Sequence, residues 1–143
     1  MDEYVKLYFE VPIEDSDDCE IESLWASPSI NGYKLENIPF YARGVSFGDV
    51  VLAEEKHGCL YMSELLEASG HSTVRILFID KTIIQSTRKE LRSMGCGSEI
   101  SDQPRLIAVD IPPSIPYENI RSYLDKGKSS NKWYYEEACL GFL

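Results

Sequence analysis

Hydrophobic residues alternate with polar ones at the start of the chain. In "YVKLYFEVP", Val5, Leu7, Phe9 and Val11 fall on one side and Tyr4, Lys6, Tyr8 and Glu10 on the other, the period of two expected of a strand with one buried face. Pro12 closes this strand. An acidic loop follows, and "ESLWASPSINGYKLENIPF" predicts two short strands around Asn31-Gly32, a dipeptide suited to the positive φ angles of a tight hairpin. A second hairpin is predicted where "DVVLAEE" and "CLYMSELLEA" flank Lys56-His57-Gly58. The first half therefore reads as about five strands curled into a small barrel-like sheet.

The period changes at residue 73. "TVRILFID" predicts a strand, and "TIIQSTRKELRSMG" puts Ile83, Thr87, Leu91 and Met94 on one helical face before Gly95. "SEI" and "RLIAVDIP" read as strands. Pro116 opens a helix over "YENIRSYLDKG", with Ile120 and Leu124 inward and Gly127 as its stop, and "KWYYEEACLGFL" is the last strand. The expected helices lie near 82–94 and 117–126. The fold class expected is α+β: an acidic all-β subdomain over 1–72, forming a small β-barrel-like sheet, packed on a ferredoxin-like βαββαβ subdomain over 73–143. "EASGHSTV" is too short for a free linker, so the halves are expected to pack together.

Charge divides the chain at the same place. Residues 1–72 hold fifteen acids and four bases, whereas 73–143 hold nine acids and ten bases, so the whole net charge of −10 comes from the first half. Its densest stretch is "EDSDDCEIE", with six carboxylates in nine positions. Such a surface repels phosphate backbones and attracts a basic protein partner; it also serves simply to keep a protein in solution. Asp15, Asp17, Asp18, Glu20 and Glu22 are the candidate partner-binding acids, with Trp25 as an aromatic anchor. No run of 18 apolar residues is present, and the Met-Asp-Glu start lacks the basic and apolar regions of a secretion signal, so a cytoplasmic protein without a membrane span is expected.

Candidate chemistry is sparse. Cys19, Cys59, Cys96 and Cys139 form no CxxC pair, and the two histidines, His57 and His71, lie in different turns, so neither a metal centre nor a cofactor is expected. In "ARGVSFGD" a pairing of Arg43 with Asp49 across a compact turn is one reading and a partner contact through Arg43 another; the glycines lack phosphate-loop spacing. In "SGHST", His71 is positioned in sequence to act as a base for Ser69, Ser72 or Thr73, but no third residue to orient it is visible, and a partner contact or a turn-fixing role competes. Glu136 and Glu137, adjacent on a strand, face opposite ways and form no proton-sharing dyad. Trp133, Tyr134 and Tyr135 divide between core and interface, and the strands of the second half lack the exposed aromatics of an RNA-binding sheet. No catalytic residue is assigned.

"NIPFYARGVSFGDVV", "ASGHSTVR", "LRSMGC", "AVDIPP" and "WYYEEACL" together resemble the bacterial domain-of-unknown-function family 4265, over Phe9 to Leu140. The resemblance implies a small bacterial cytoplasmic protein and brings no activity or cofactor. By analogy of size and charge, such a domain is similar to immunity proteins that neutralise a cognate toxin of contact-dependent growth inhibition. The expected function is accordingly a non-enzymatic module binding a basic protein, most simply a toxin domain. The alternative is a regulatory domain that binds a small molecule between its halves.

Overall fold

The computed structural model describes residues 3–142. Five strands come first: β1 (Val5–Pro12), β2 (Cys19–Pro28), β3 (Tyr33–Leu35), β4 (Val50–Lys56) and β5 (Cys59–Glu67). Leu7, Phe9, Leu24, Ala26, Leu35 and Val51 point to the same side by alternation and form the N-terminal core with Ala42 and Val45 from the β3–β4 loop. Then come β6 (Ser72–Phe78), a 3-10 turn (Lys81–Ile83), α1 (Ile84–Ser93), β7 (Gly97–Ile100), β8 (Leu106–Ile111), α2 (Tyr117–Ser129) and β9 (Trp133–Cys139). Val74, Ile76, Phe78, Ile107, Val109 and Ile111 turn one sheet face to Leu91, Ile120 and Leu124 of the helices, which makes the second core.

The expected fold class requires correction. The N-terminal strands run in the order β1-β2-β3-β4-β5 and close into a barrel where β1 meets β5 in parallel, through only two residue pairs, Leu7 with Leu60 and Tyr8 with Tyr61. β3 contributes three residues, and residues 36–49 between β3 and β4 form no strand. The second sheet is separate and open, in the order β7-β8-β6-β9, and carries two helices. The expected fold class is thus corrected in its detail: a five-stranded barrel with a two-pair seam lies beside an open four-stranded sheet whose elements run β6-α1-β7-β8-α2-β9. Residues 36–49 stand outside both ladders. They spend their polar groups on both sheets instead of extending a ladder, as described below. The expected boundary between 72 and 73 falls inside β6.

Two local expectations are also revised. Neither Asn31 nor Gly32 has positive φ. Gly32 is needed for close approach, since a Cβ there would lie 2.4 Å from the carbonyl oxygen of Val51. The positive-φ hairpin is the other one, at His57 (φ 52°) and Gly58 (φ 80°). Gly127 does not stop α2, which runs on to Ser129; it lies inside the helix because the Trp133 ring occupies the space of a Cβ. Asn131, at φ 59°, follows the helix and turns the chain into β9.

Candidate functional site

The face of the C-terminal sheet turned away from the helices is built by alternation. Thr73, Arg75 and Leu77 of β6 lie opposite Asp110, Ala108 and Leu106 of β8, and Arg75 and Leu77 lie opposite Glu136 and Tyr134 of β9. Residues 36–49 cross one end of this face. The Ser46 hydroxyl lies 2.7 Å from that of Thr73, and the Tyr41 hydroxyl 3.4 Å from that of Ser101. The other end is open, and between it and β1 lies a cleft of about 680 Å³.

Arg75 lines this cleft. Its guanidinium is buried, and burying a charge is costly unless it is paired. Nη1 donates to Oε1 of Glu136 at 2.8 Å and Nη2 donates to the carbonyl of Ala42, whereas Nε has no partner among the described residues. Phe9 and Phe40 supply apolar wall, and Glu10, Glu14 and Arg43 place further charge along the lining.

Glu22 explains how the 40–42 segment is held. Its carboxylate accepts from the backbone N–H groups of Phe40 (2.6 Å), Tyr41 (3.1 Å) and Ala42 (2.8 Å). Glu22 is buried, so this acid belongs to the scaffold of the cleft and lies apart from the exposed acidic surface. Asp49 has a similar task. It accepts from the backbone N–H of Ser46 and from both the backbone N–H and hydroxyl of Ser69, each at 2.8 Å. The expected Arg43–Asp49 pair does not form: Asp49 is buried with neutral donors, while Arg43 is exposed and joins no ion pair among the described residues.

The remaining candidates separate in space. Asp15, Asp17, Asp18 and Glu20 are exposed on the β1–β2 connection and the start of β2, with Glu14 reaching the cleft. Trp25 points outward from β2, and the Lys6 ammonium sits 5.1 Å from its ring centre. Trp133 is core: its Nε1–H donates to the Leu124 carbonyl at 3.0 Å.

His71 lies in a different network. Its Nδ1 is 2.7 Å from Oδ1 of Asp110. Burial pushes the Asp110 carboxyl above the usual carboxylate range, while the hydrogen bond and charge of His71 act in the opposite direction. None of the three neighbouring hydroxyls pairs with the ring: Ser69 donates to Phe47 and Asp49, Ser72 accepts from the Gly141 N–H, and Thr73 meets Ser46. The imidazole thus has an orienting carboxylate and no paired nucleophile. Sequence reasoning missed Asp110; its signal was an acid in the otherwise apolar run "LIAVDIP".

The family model for "Domain of unknown function (DUF4265)" matches residues 22–135. The chain belongs to this family. The DUF4265 match spans the Glu22 contact, Arg75 and the His71–Asp110 pair, but leaves out Glu136 and the β1 wall of the cleft, as well as Asp15, Asp17, Asp18 and Glu20. No curated protein matches the chain. A solved structure, described as "Novel crystal structure of a hypothetical protein from Neisseria gonorrhoeae", is similar at 22% identity with a TM-score of 0.83, covering 99% of this chain and 98% of that one. That likeness shows the fold of this DUF4265 chain alone. Among the described residues no group of three or more His, Cys, Asp or Glu is placed to hold a metal, and no helix is long and apolar enough to cross a membrane.

Proposed function

We propose that this DUF4265 chain is a non-enzymatic protein-binding module that engages a basic partner, in the manner of an immunity protein inhibiting a cognate toxin domain in the cytoplasm. The observation that carries the reading is that Glu14, Asp15, Asp17, Asp18 and Glu20 are exposed and none is joined to a cation in an ion pair among the described residues. Acids left unneutralised on one surface set up a field that steers a basic partner and sharpens its selection. Trp25, with Ile21 also exposed on β2 and Tyr4 exposed just before β1, supplies the apolar area that a charged rim lacks. The commitment of Ser69, Ser72 and Thr73 to other partners supports the non-enzymatic part of the reading.

Affinity purification from the native bacterium, followed by binding kinetics with the recovered protein, tests this. Trp25→Ala is expected to weaken binding by ~2 kcal/mol or more, mainly through faster dissociation. An unchanged dissociation rate removes Trp25 as the anchor. Recovery of no protein partner counts against the module itself.

The cleft favours a second reading, a small-molecule-binding regulatory domain. Its support is the volume of about 680 Å³ with the buried Arg75 cation in the lining. A metabolite retained by the purified protein, and lost in Arg75→Met, is its expected sign.

A further inference from the structure

Arg75 has few acceptors for a buried cation. Its guanidinium meets only two among the described residues, Oε1 of Glu136 on Nη1 and the Ala42 carbonyl on Nη2, and the Nε–H meets none. More of its N–H groups are free than bonded. The side chain is 5% exposed, so bulk solvent serves them poorly, and a buried donor without a partner costs stability. Arg75 lines a cleft of about 680 Å³, a size common among small-molecule sites.

The charges around this cleft are already matched. Glu136 holds Arg75 at 2.8 Å, and Lys56 holds Glu10 at 3.4 Å. Only Arg43 and Glu14 remain to pair with a charged ligand; they are opposite in sign and exposed, and exposed pairs contribute little. A charged ligand would therefore lose its hydration without gaining a free buried partner. The rest of the wall is apolar. Val11 and Met62 are partly buried where the cleft reaches the N-terminal core, to which Phe9 and Val45 belong, and half-buried Leu106 continues the wall on β8.

We infer that the cleft takes a neutral ligand that presents a carbonyl oxygen to the Arg75 guanidinium and an apolar body to Val11, Met62 and Leu106. This rests on the small-molecule reading above and names its ligand class. A carbonyl oxygen has two lone pairs and no proton of its own, so it accepts from the cation without needing a further acceptor. The ion pair with Glu136 stays intact.

The test titrates four probes of similar shape into the 15N-labelled full chain: acetophenone, benzoate, benzamidine and isopropylbenzene. The side-chain Nε–H signal of Arg75 and the amides of Val11, Ala42 and Arg43 are expected to shift with acetophenone. Benzoate and protonated benzamidine should bind at least about tenfold more weakly, because their charges are desolvated without a free partner. Isopropylbenzene, which lacks the acceptor, should bind at least about fivefold more weakly. In Arg75→Met the preference for acetophenone over isopropylbenzene should vanish; if that variant does not fold, the series on the parent chain decides alone. No shift at the solubility limit of acetophenone, equal or tighter binding of either charged probe or of isopropylbenzene, or a ketone preference that survives Arg75→Met overturns the inference. A charged metabolite retained in the cleft of the native protein would leave the small-molecule reading standing and this ligand class wrong. If no probe binds and no metabolite is retained, both fail.

Discussion

Nδ1 of His71 lies 2.7 Å from Oδ1 of Asp110, a contact between residues 39 apart that exists because β6 and β8 pair antiparallel, with Ser72 opposite Ile111. Burial raises the Asp110 carboxyl and His71 draws it back down. Replacing His71 with Ala is therefore expected to move the Asp110 titration midpoint higher still, as followed by carboxyl carbon NMR. An unchanged midpoint would mean that His71 does not act on it.

The same shift has a consequence for stability. A carboxyl raised in the folded state binds its proton more readily there than in the unfolded chain. Its contribution is thus full below the unfolded value and is lost as pH rises through the folded one. Asp110→Asn should flatten that part of the stability profile between the ordinary carboxylate range and the raised midpoint. Urea midpoints measured across this window check the sign; a loss of stability on lowering pH that is traceable to Asp110 would contradict it.

Arg75 is buried while its partner Glu136 is half exposed. Removing the carboxylate strands the cation, so Glu136→Ala should cost ~1–3 kcal/mol. Arg75→Met, which removes the buried charge and fills much of its volume, should cost less or even stabilise. Chemical denaturation of both variants gives the order; a costlier Arg75→Met would show that the Ala42 contact matters more than the ion pair.

Gly127→Ala reverses the usual helix rule. Alanine gains ~1 kcal/mol over glycine in a helix interior, but here its Cβ would lie 2.0 Å from Cζ2 of Trp133. Displacing that buried ring is expected to give a net loss of ~1–3 kcal/mol, together with a shift in tryptophan emission. A stabilised variant would contradict the packing.

Burial, reinforced by the charge of Asp110, pushes the Cys96 thiol up to about 11, whereas Cys19 is exposed. At neutral pH a thiol reagent should label Cys19 readily and Cys96 only on unfolding. Peptide mapping of the labelled sites decides this.

The strands and helices were legible because their periods are regular: Val5, Leu7, Phe9 and Val11 alternate, and Thr87 and Leu91 keep helical spacing. Residues 36–49 were not, because what they do depends on distant partners. Nothing local says that Glu22 will accept three N–H groups from residues 40–42, or that Asp49 will prefer Ser46 and Ser69 to Arg43. Counting acids placed Glu22 with the exposed cluster, but its alternation with Leu24 and Ala26 on β2 already pointed inward. Gly127 resembled a stop because glycine usually is one, and only the Trp133 ring reveals its other use. Asp110 became visible as the partner of His71 once β8 lay beside β6.

The exposed acids bear most directly on function. Converting Asp15, Asp17 and Asp18 to Asn should lower the association rate with the co-purified partner several-fold at low salt and far less at high salt, because exposed charges act through a screened long-range field. Folding should be almost unaffected, since all three are exposed and join no ion pair among the described residues. The decisive measurement is the association rate of this triple variant and the parent across ionic strength. Convergence of the two as salt rises, with little change in dissociation, is the predicted result; equal association rates at low salt would contradict the account.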